Sequence, residues 1–346
     1  MNPYSNLPPR AFWRRAVSDE SPMQMTEIYQ PRFKVDKTMR IVAAGSCFAQ
    51  HIGTEFKRRG YRFIDAEPLP EGLPHAKRHD FGFDMYSARY GNVYSVRQLV
   101  QLFARASGEF KPKEPAWIEA NGRARDPFRP NIEPDGFENL AELRRDRAWH
   151  LARVRELLRR ADVFVFTFGL TEAWECIADG AILPLCPGTA GGTFDAARYR
   201  FKNFTYPEVW ADAEAFIKLA LSINPAMKFI FTVSPVPLTA TATGDHVLSA
   251  SVYSKSVLRA VCGDLRAKYP MVDYFPSYEL VASHPMRAMY FMPNLRNVAL
   301  AGVAQVMNVF FNAQGWTEEA PVAAKAKAPD PADVVCDEAI LETFGR

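Results

Sequence analysis

The residues with the clearest chemical potential are Gly45-Ser46-Cys47, at the end of the apolar run Ile41-Val-Ala-Ala and the start of a helical pattern in which Phe48, Ile52 and Phe56 fall four residues apart. A strand running into a helix there sets a small nucleophilic side chain at the carboxyl edge of the strand and the amino end of the helix. Unpaired backbone N–H groups and the helix dipole at that end favour developing negative charge. Ser46 then suits acyl transfer through a serine ester; the structural alternative is a Ser cap on an ordinary helix. Cys47 at the same helix start would be a thiol nucleophile only with a histidine partner, and is read as a core residue. His51, one turn on, is read as lying on the helix flank. In Tyr253-Ser-Lys-Ser256 the spacing does not make a Ser-x-x-Lys pair. Lys255 and Arg259 are candidates to hold an anionic or sugar substrate, against a solvated helix face.

Other chemistries fit poorly. After Gly45 the second and third positions of a dinucleotide fingerprint are Cys47 and Gln50, too large for a pyrophosphate to approach the backbone. Neither a G-x-x-x-x-G-K-[ST] loop nor H-E-x-x-H occurs, and His75 and His79 lie in a Pro/Gly-rich loop, so no cofactor and no metal are expected.

The elements that must position Ser46 alternate along the chain. Strands are expected at 40–44, 61–66, 162–168, 228–233 and 272–275, and helices at 47–59, 95–106, 137–160, 207–223, 250–269 and 299–311. This βα alternation predicts an α/β fold, a three-layer sandwich on a parallel central sheet. The stretch 108–135 reads as a lid or insertion, able to decide between hydrolysis and transfer by controlling water access. Cys176 and Cys186 flank a hairpin turn at Asp179-Gly180. Residues 1–37 read as an arm packed across the surface of a domain at 38–316. Residues 317–346 read as a flexible linker around Ala320–Pro331 and a tail that is either a short docking helix or disordered.

Composition narrows the class. The 346 residues are 48% hydrophobic with a small net charge of +3, enough for a large core, and a nucleic-acid surface is poorly supported because no aromatic-rich single-strand motif or Zn module accompanies the basic residues. The arginines at 144, 145, 147, 153, 155, 159 and 160 are interleaved with apolar residues and read as a solvated helix face. Five cysteines without C-x-x-C spacing fit a reducing compartment, and no apolar run has the length of a membrane span, so a cytoplasmic protein is expected.

Several blocks together resemble the GSCFA family, itself similar to the SGNH hydrolases. They are Gly45-Ser-Cys-Phe-Ala49, Tyr90-Gly-Asn-Val-Tyr94, Thr167-Phe-Gly-Leu-Thr-Glu-Ala-Trp174, Thr232-Val-Ser-Pro-Val236, Tyr253-Ser-Lys-Ser256 and Tyr274-Phe-Pro-Ser-Tyr-Glu279. The resemblance implies an SGNH-hydrolase-like, flavodoxin-like sandwich. It also implies Ser46 as nucleophile with its own N–H in the oxyanion hole, and Gly45, Gly91 and Asn92 beside it. Where that superfamily carries G-x-N-D, this chain has Gly169, Leu170, Thr171 and Glu172, so Thr171 or Asn92 takes the role of the missing Asn donor. Where it carries D-x-x-H, this chain has Asn294 and Asn297, neither able to act as a base. The base is then expected from His284, oriented by Glu279, Glu172 or a backbone carbonyl, with His246 as the alternative. The implied function is a serine-dependent ester hydrolase or O-acyltransferase. Its implied substrate is a small-molecule or glycan ester, such as an acetylated surface-polysaccharide precursor, with an acyl donor in the transfer case. A retired active site serving as a glycan-binding or scaffolding module is the alternative.

Overall fold

The computed structural model describes residues 2–25, 27–316, 334 and 336–345. Four strands form its central sheet: β1 (Ile41–Gly45), β4 (Val163–Phe168), β8 (Lys228–Val233) and β9 (Val272–Phe275). They lie in the order β1-β4-β8-β9, all parallel, with Gly45 opposite Thr167 and Phe168 opposite Val233. Every residue of β1, β4 and β9 is buried, as a parallel strand covered on both faces requires; β9 does so with Asp273 paired to Tyr29, Arg32 and Arg266. The expected strand at 61–66 is reduced to a single parallel bridge from Phe63 to Ile41.

Side chains alternate between two cores. Val42, Ala44, Phe164, Phe166, Phe168, Phe229 and Phe231 pack under α2 (Val96–Ser107), α3 (Leu140–Arg160), α4 (Tyr206–Ile223) and α5 (Val247–Lys268). Ile41, Ala43, Val163, Val165 and Ile230 face α1 (Phe48–Arg58), α6 (Ser277–Ala282), α7 (Leu300–Ala313) and the arm residues Met25, Tyr29 and Val35. Helices on both faces of a parallel sheet make the three layers. Each fully buried phenylalanine contributes about 2–3 kcal/mol of transfer free energy.

Local signals set the helix ends. Ser95 caps α2 in a capping box with Gln98, and Gly108 closes it in the left-handed region. Thr205 and Glu208 do the same for the start of α4. Helix α5 begins at Val247, earlier than its apolar pattern suggests, because His246 Nδ1 accepts the Leu248 N–H at 3.1 Å.

Two small antiparallel sheets flank the sandwich. The insertion holds the pair β2 (Trp117–Ile118) and β3 (Ala124–Arg125). The expected hairpin is β5 (Glu172–Cys176) with β6 (Ile182–Leu183), joined on its other side by β7 (Tyr199–Asn203). Among the described residues no helix is long and apolar enough to cross a membrane. The expected linker at Ala320–Pro331 lies outside the described residues. Asp337–Gly345 forms a short 3-10 helix, the docking alternative expected for the tail.

Candidate active site

Ser46 stands at the carboxyl end of β1, immediately before α1, where ligands of open parallel sheets collect. Gly45 makes the bend with φ +143, and a Cβ there would lie 2.5 Å from the Thr167 carbonyl oxygen, so this position requires glycine. Gly169 is required for a related reason: its Cβ would lie 2.9 Å from Ser46 Cβ. Ser46 is 3% exposed, and among the described residues its Oγ has no hydrogen-bond partner. It does not cap α1; the cap position is Cys47, with no side-chain bond. The Ser46 N–H is also committed, to the Thr167 carbonyl at 3.2 Å, rather than standing open as an oxyanion donor.

The second block lies beside it. Val93 N–H bonds the Gly45 carbonyl, which fixes Gly91 and Asn92 at the edge of the serine turn. Asn92 is buried, and its Oδ1 accepts from Tyr86 Oη at 2.5 Å, while Gln50 Nε2 donates to the same Tyr86 oxygen. That chain sets the amide with its Nδ2 as the outward donor. Across the site, the Tyr94 carbonyl accepts the N–H groups of Gly169 and Leu170. Lys255 enters from α5, 3% exposed, with Nζ donating to the Gly169 carbonyl at 2.7 Å. Burial pushes its ammonium down to about 8, against the opposing pull of Glu338. Thr171 donates its N–H to Ser254 Oγ and keeps a buried hydroxyl that has no partner among the described residues. An orphaned serine hydroxyl, an oriented amide and a buried amine thus converge on the turn made by the Gly-Ser-Cys-Phe-Ala block. The GSCFA family profile matches residues 40–310, all of the sheet and both flanking layers.

The chain belongs to the GSCFA family. No curated protein matches it.

Four expected site residues of this GSCFA domain stand elsewhere or act otherwise. His284 is exposed and stacks its ring on Trp13 of the arm, centroids 5.4 Å apart, so it is not the partner of Ser46. His246 is the exposed cap of α5 described above. Glu279 holds Arg259 at 2.5 Å and Tyr274 Oη at 2.8 Å, along the wall of a cavity of about 860 Å³ beneath the arm, and orients no histidine. Glu172 accepts from Thr241 Oγ1 at 2.7 Å and so ties down the β8–α5 loop. Asn294 is nearer to expectation. Its Oδ1 accepts the N–H groups of Arg296 and Asn297 in a tight turn, on the wall of a second cavity of about 170 Å³ beside Cys47 and His51. His51, buried there, is pushed down to about 4 by desolvation and is neutral.

The residues missed in the sequence are Arg296, Asn131 and the carboxyl-terminal Cys336, Asp337 and Glu338. Arg296 Nη2 donates to Cys336 Sγ at 3.5 Å and lies 3.6 Å from Glu338 Oε2. The thiols of Cys47 and Cys336 interact directly; this contact and Arg296 pull Cys336 down to about 6, while the Cys47 thiol is pushed up. Arg296 sits between Asn294 and Asn297, and nothing in its spacing announces a distant cysteine and glutamate as its partners.

Proposed function

We propose that the chain is a serine-dependent acyl ester hydrolase or O-acyltransferase for an acylated glycan or glycan precursor, with Lys255 in place of a histidine base. The observation that carries this reading is the buried, unpartnered Ser46 Oγ across Gly169 from the buried Lys255 amine. Lys255 in its neutral form takes the Oγ proton as Ser46 attacks the acyl carbonyl. The resulting ammonium gives that proton to the leaving alkoxide, and the acyl group stays on Ser46 until water or an acceptor hydroxyl removes it. Asn92 Nδ2 supplies an oxyanion donor, and removing one such donor costs about 3–4 kcal/mol in known cases.

The second reading, a glycan-binding or scaffolding module, draws support from the Ser46 N–H bonded to Thr167 and from the absence of a histidine partner on Ser46. Turnover of p-nitrophenyl acetate and labelling by a fluorophosphonate separate the two. Ser46→Ala and Lys255→Met are each expected to lower turnover at least ~100-fold, and wild-type turnover should rise with pH to a plateau above about 8. Equal background rates in all three proteins, with no label on Ser46, would leave the binding reading standing.

A further inference from the structure

The carboxyl-terminal segment reaches the same end of the sheet. Asp337 is buried, and its two carboxylate oxygens are held separately: Oδ2 by Asn92 Nδ2 and Oδ1 by Asn131 Nδ2, both at 2.7 Å. The Glu338 N–H donates to Tyr94 Oη at 3.2 Å, and its carboxyl is buried near Arg296. The only buried side chains of this helix are these two acids; Ile340 and Leu341 are half-buried and Phe344 is exposed. A segment that belonged to the core would bury apolar area, whereas desolvated carboxylates offset much of their own attraction. Such an anchor recognises its site without holding it strongly.

We propose that Cys336–Gly345 is a displaceable occupant of the Ser46 end of the domain, and that the Asn92–Asn131 amide pair beneath it binds a carboxylate-bearing ligand. This deepens the serine reading and rests on it for the meaning of the site: the acid released by ester hydrolysis carries the same two oxygens that Asp337 presents. Two amides, each giving one N–H to one oxygen of a single carboxylate, form a clamp with that geometry built in. While the segment is docked, the Asn92 donor is occupied; when it leaves, the donor faces the site.

The test uses the full chain and does not depend on turnover. Hydrogen exchange by mass spectrometry is followed with sodium acetate or with sodium chloride at equal ionic strength. Residues 337–345 are expected to exchange at least ~10-fold faster than β4, and faster again in acetate but not in chloride. The double variant Asp337→Ala/Glu338→Ala should bind acetate at least ~10-fold more tightly by calorimetry, with β1 and β4 still protected. Adding Asn131→Ala should remove that gain. Acetate without effect on the segment in the wild type, or exchange there as slow as in β4, would overturn the proposal. If Ser46 proves inert while acetate still displaces the segment, the serine reading alone falls.

Discussion

The two ends of the chain both cross the domain, and they are held by opposite physics. The amino-terminal arm inserts Met25, Tyr29 and Val35 into the core under α7, with Tyr29 against Phe275 and Phe310. Its polar groups are satisfied as well. Tyr29 Oη and the Arg32 N–H both reach Asp273 Oδ2 at 2.9 Å, and the Arg32 guanidinium donates to the carbonyls of Arg266, Tyr269 and Val272. The carboxyl-terminal segment inverts this, burying acids and leaving its aromatic outside. Apolar burial makes the arm part of the fold, and the few polar contacts that hold the other end beside Ser46 are what the proposed displacement would break.

The largest expected effect tests the arm. Tyr29→Ala should lower unfolding stability in urea by about 3–5 kcal/mol, since a buried aromatic is lost and Asp273 loses a donor. Asp337→Ala/Glu338→Ala should change it by less than about 1 kcal/mol, because desolvation of the acids is relieved as their contacts are lost. Equal losses at the two ends would break the comparison and make the segment part of the fold.

A smaller effect is written in pH. Burial, together with the Cys336 charge, pushes Glu338 up to about 8 in the docked segment, despite Arg296 before α7 and Lys255 on α5; Glu172 on β5 adds to the rise. A group raised on docking favours the docked state below its free value near 4.5, and loses that support as pH climbs toward 8. Cys336, lowered by its contact with the Cys47 thiol and by Arg296, acts in the opposite sense and adds support as pH rises. The docking equilibrium constant, read from amide signals of 337–345 by NMR, should therefore fall as pH rises above about 4.5, with Asp337, also raised by burial, acting in the same sense, and fall less steeply once Cys336 ionises. Glu338→Gln should shrink the fall to the part contributed by Asp337, which burial also raises, and Cys336→Ser should remove the opposing rise. A pH-independent docked fraction in the wild type would show that Glu338 is not desolvated by docking.

The same contrast explains what was legible in the sequence. Strands β4 and β8 read directly because both faces are largely apolar, β9 read despite its buried Asp273, and α1 read from Phe48, Ile52 and Phe56. Strand β7 did not, since Tyr-Arg-Phe-Lys-Asn at an edge exposes polar side chains that any loop could carry. The position of Ser46 at the β1–α1 junction read from the apolar run before it and the helical spacing after it. His284 and His246 stand away from Ser46 because their surroundings, the stack on Trp13 and the cap of α5, are set by tertiary contacts that no spacing announces. Lys255 was seen only as a ligand holder, since nothing in its neighbours announces that α5 buries it against Gly169. Asp337 and Glu338 were unreadable for a general reason: acids are expected in water, and only tertiary contact with Asn92, Asn131 and Arg296 reveals them as buried.

The smallest effect sharpens the comparison within the arm itself. Its outer part, before Met25, has no buried residue, and Trp13 is 59% exposed where it stacks on His284. An exposed stacked pair of this kind contributes about 0.5 kcal/mol. His284→Ala should therefore lower stability by no more than about that amount and leave ester turnover at the wild-type rate. The outer arm would then resemble the carboxyl-terminal segment in being loosely held, yet differ in covering nothing reactive. A 100-fold loss of turnover in His284→Ala, on the scale of removing a general base, would mean that the arm opens in solution and that the histidine travels to Ser46. Lys255 would then lose its place as the base, and the amino-terminal arm, rather than the carboxyl-terminal segment, would be the end of the chain that governs the site.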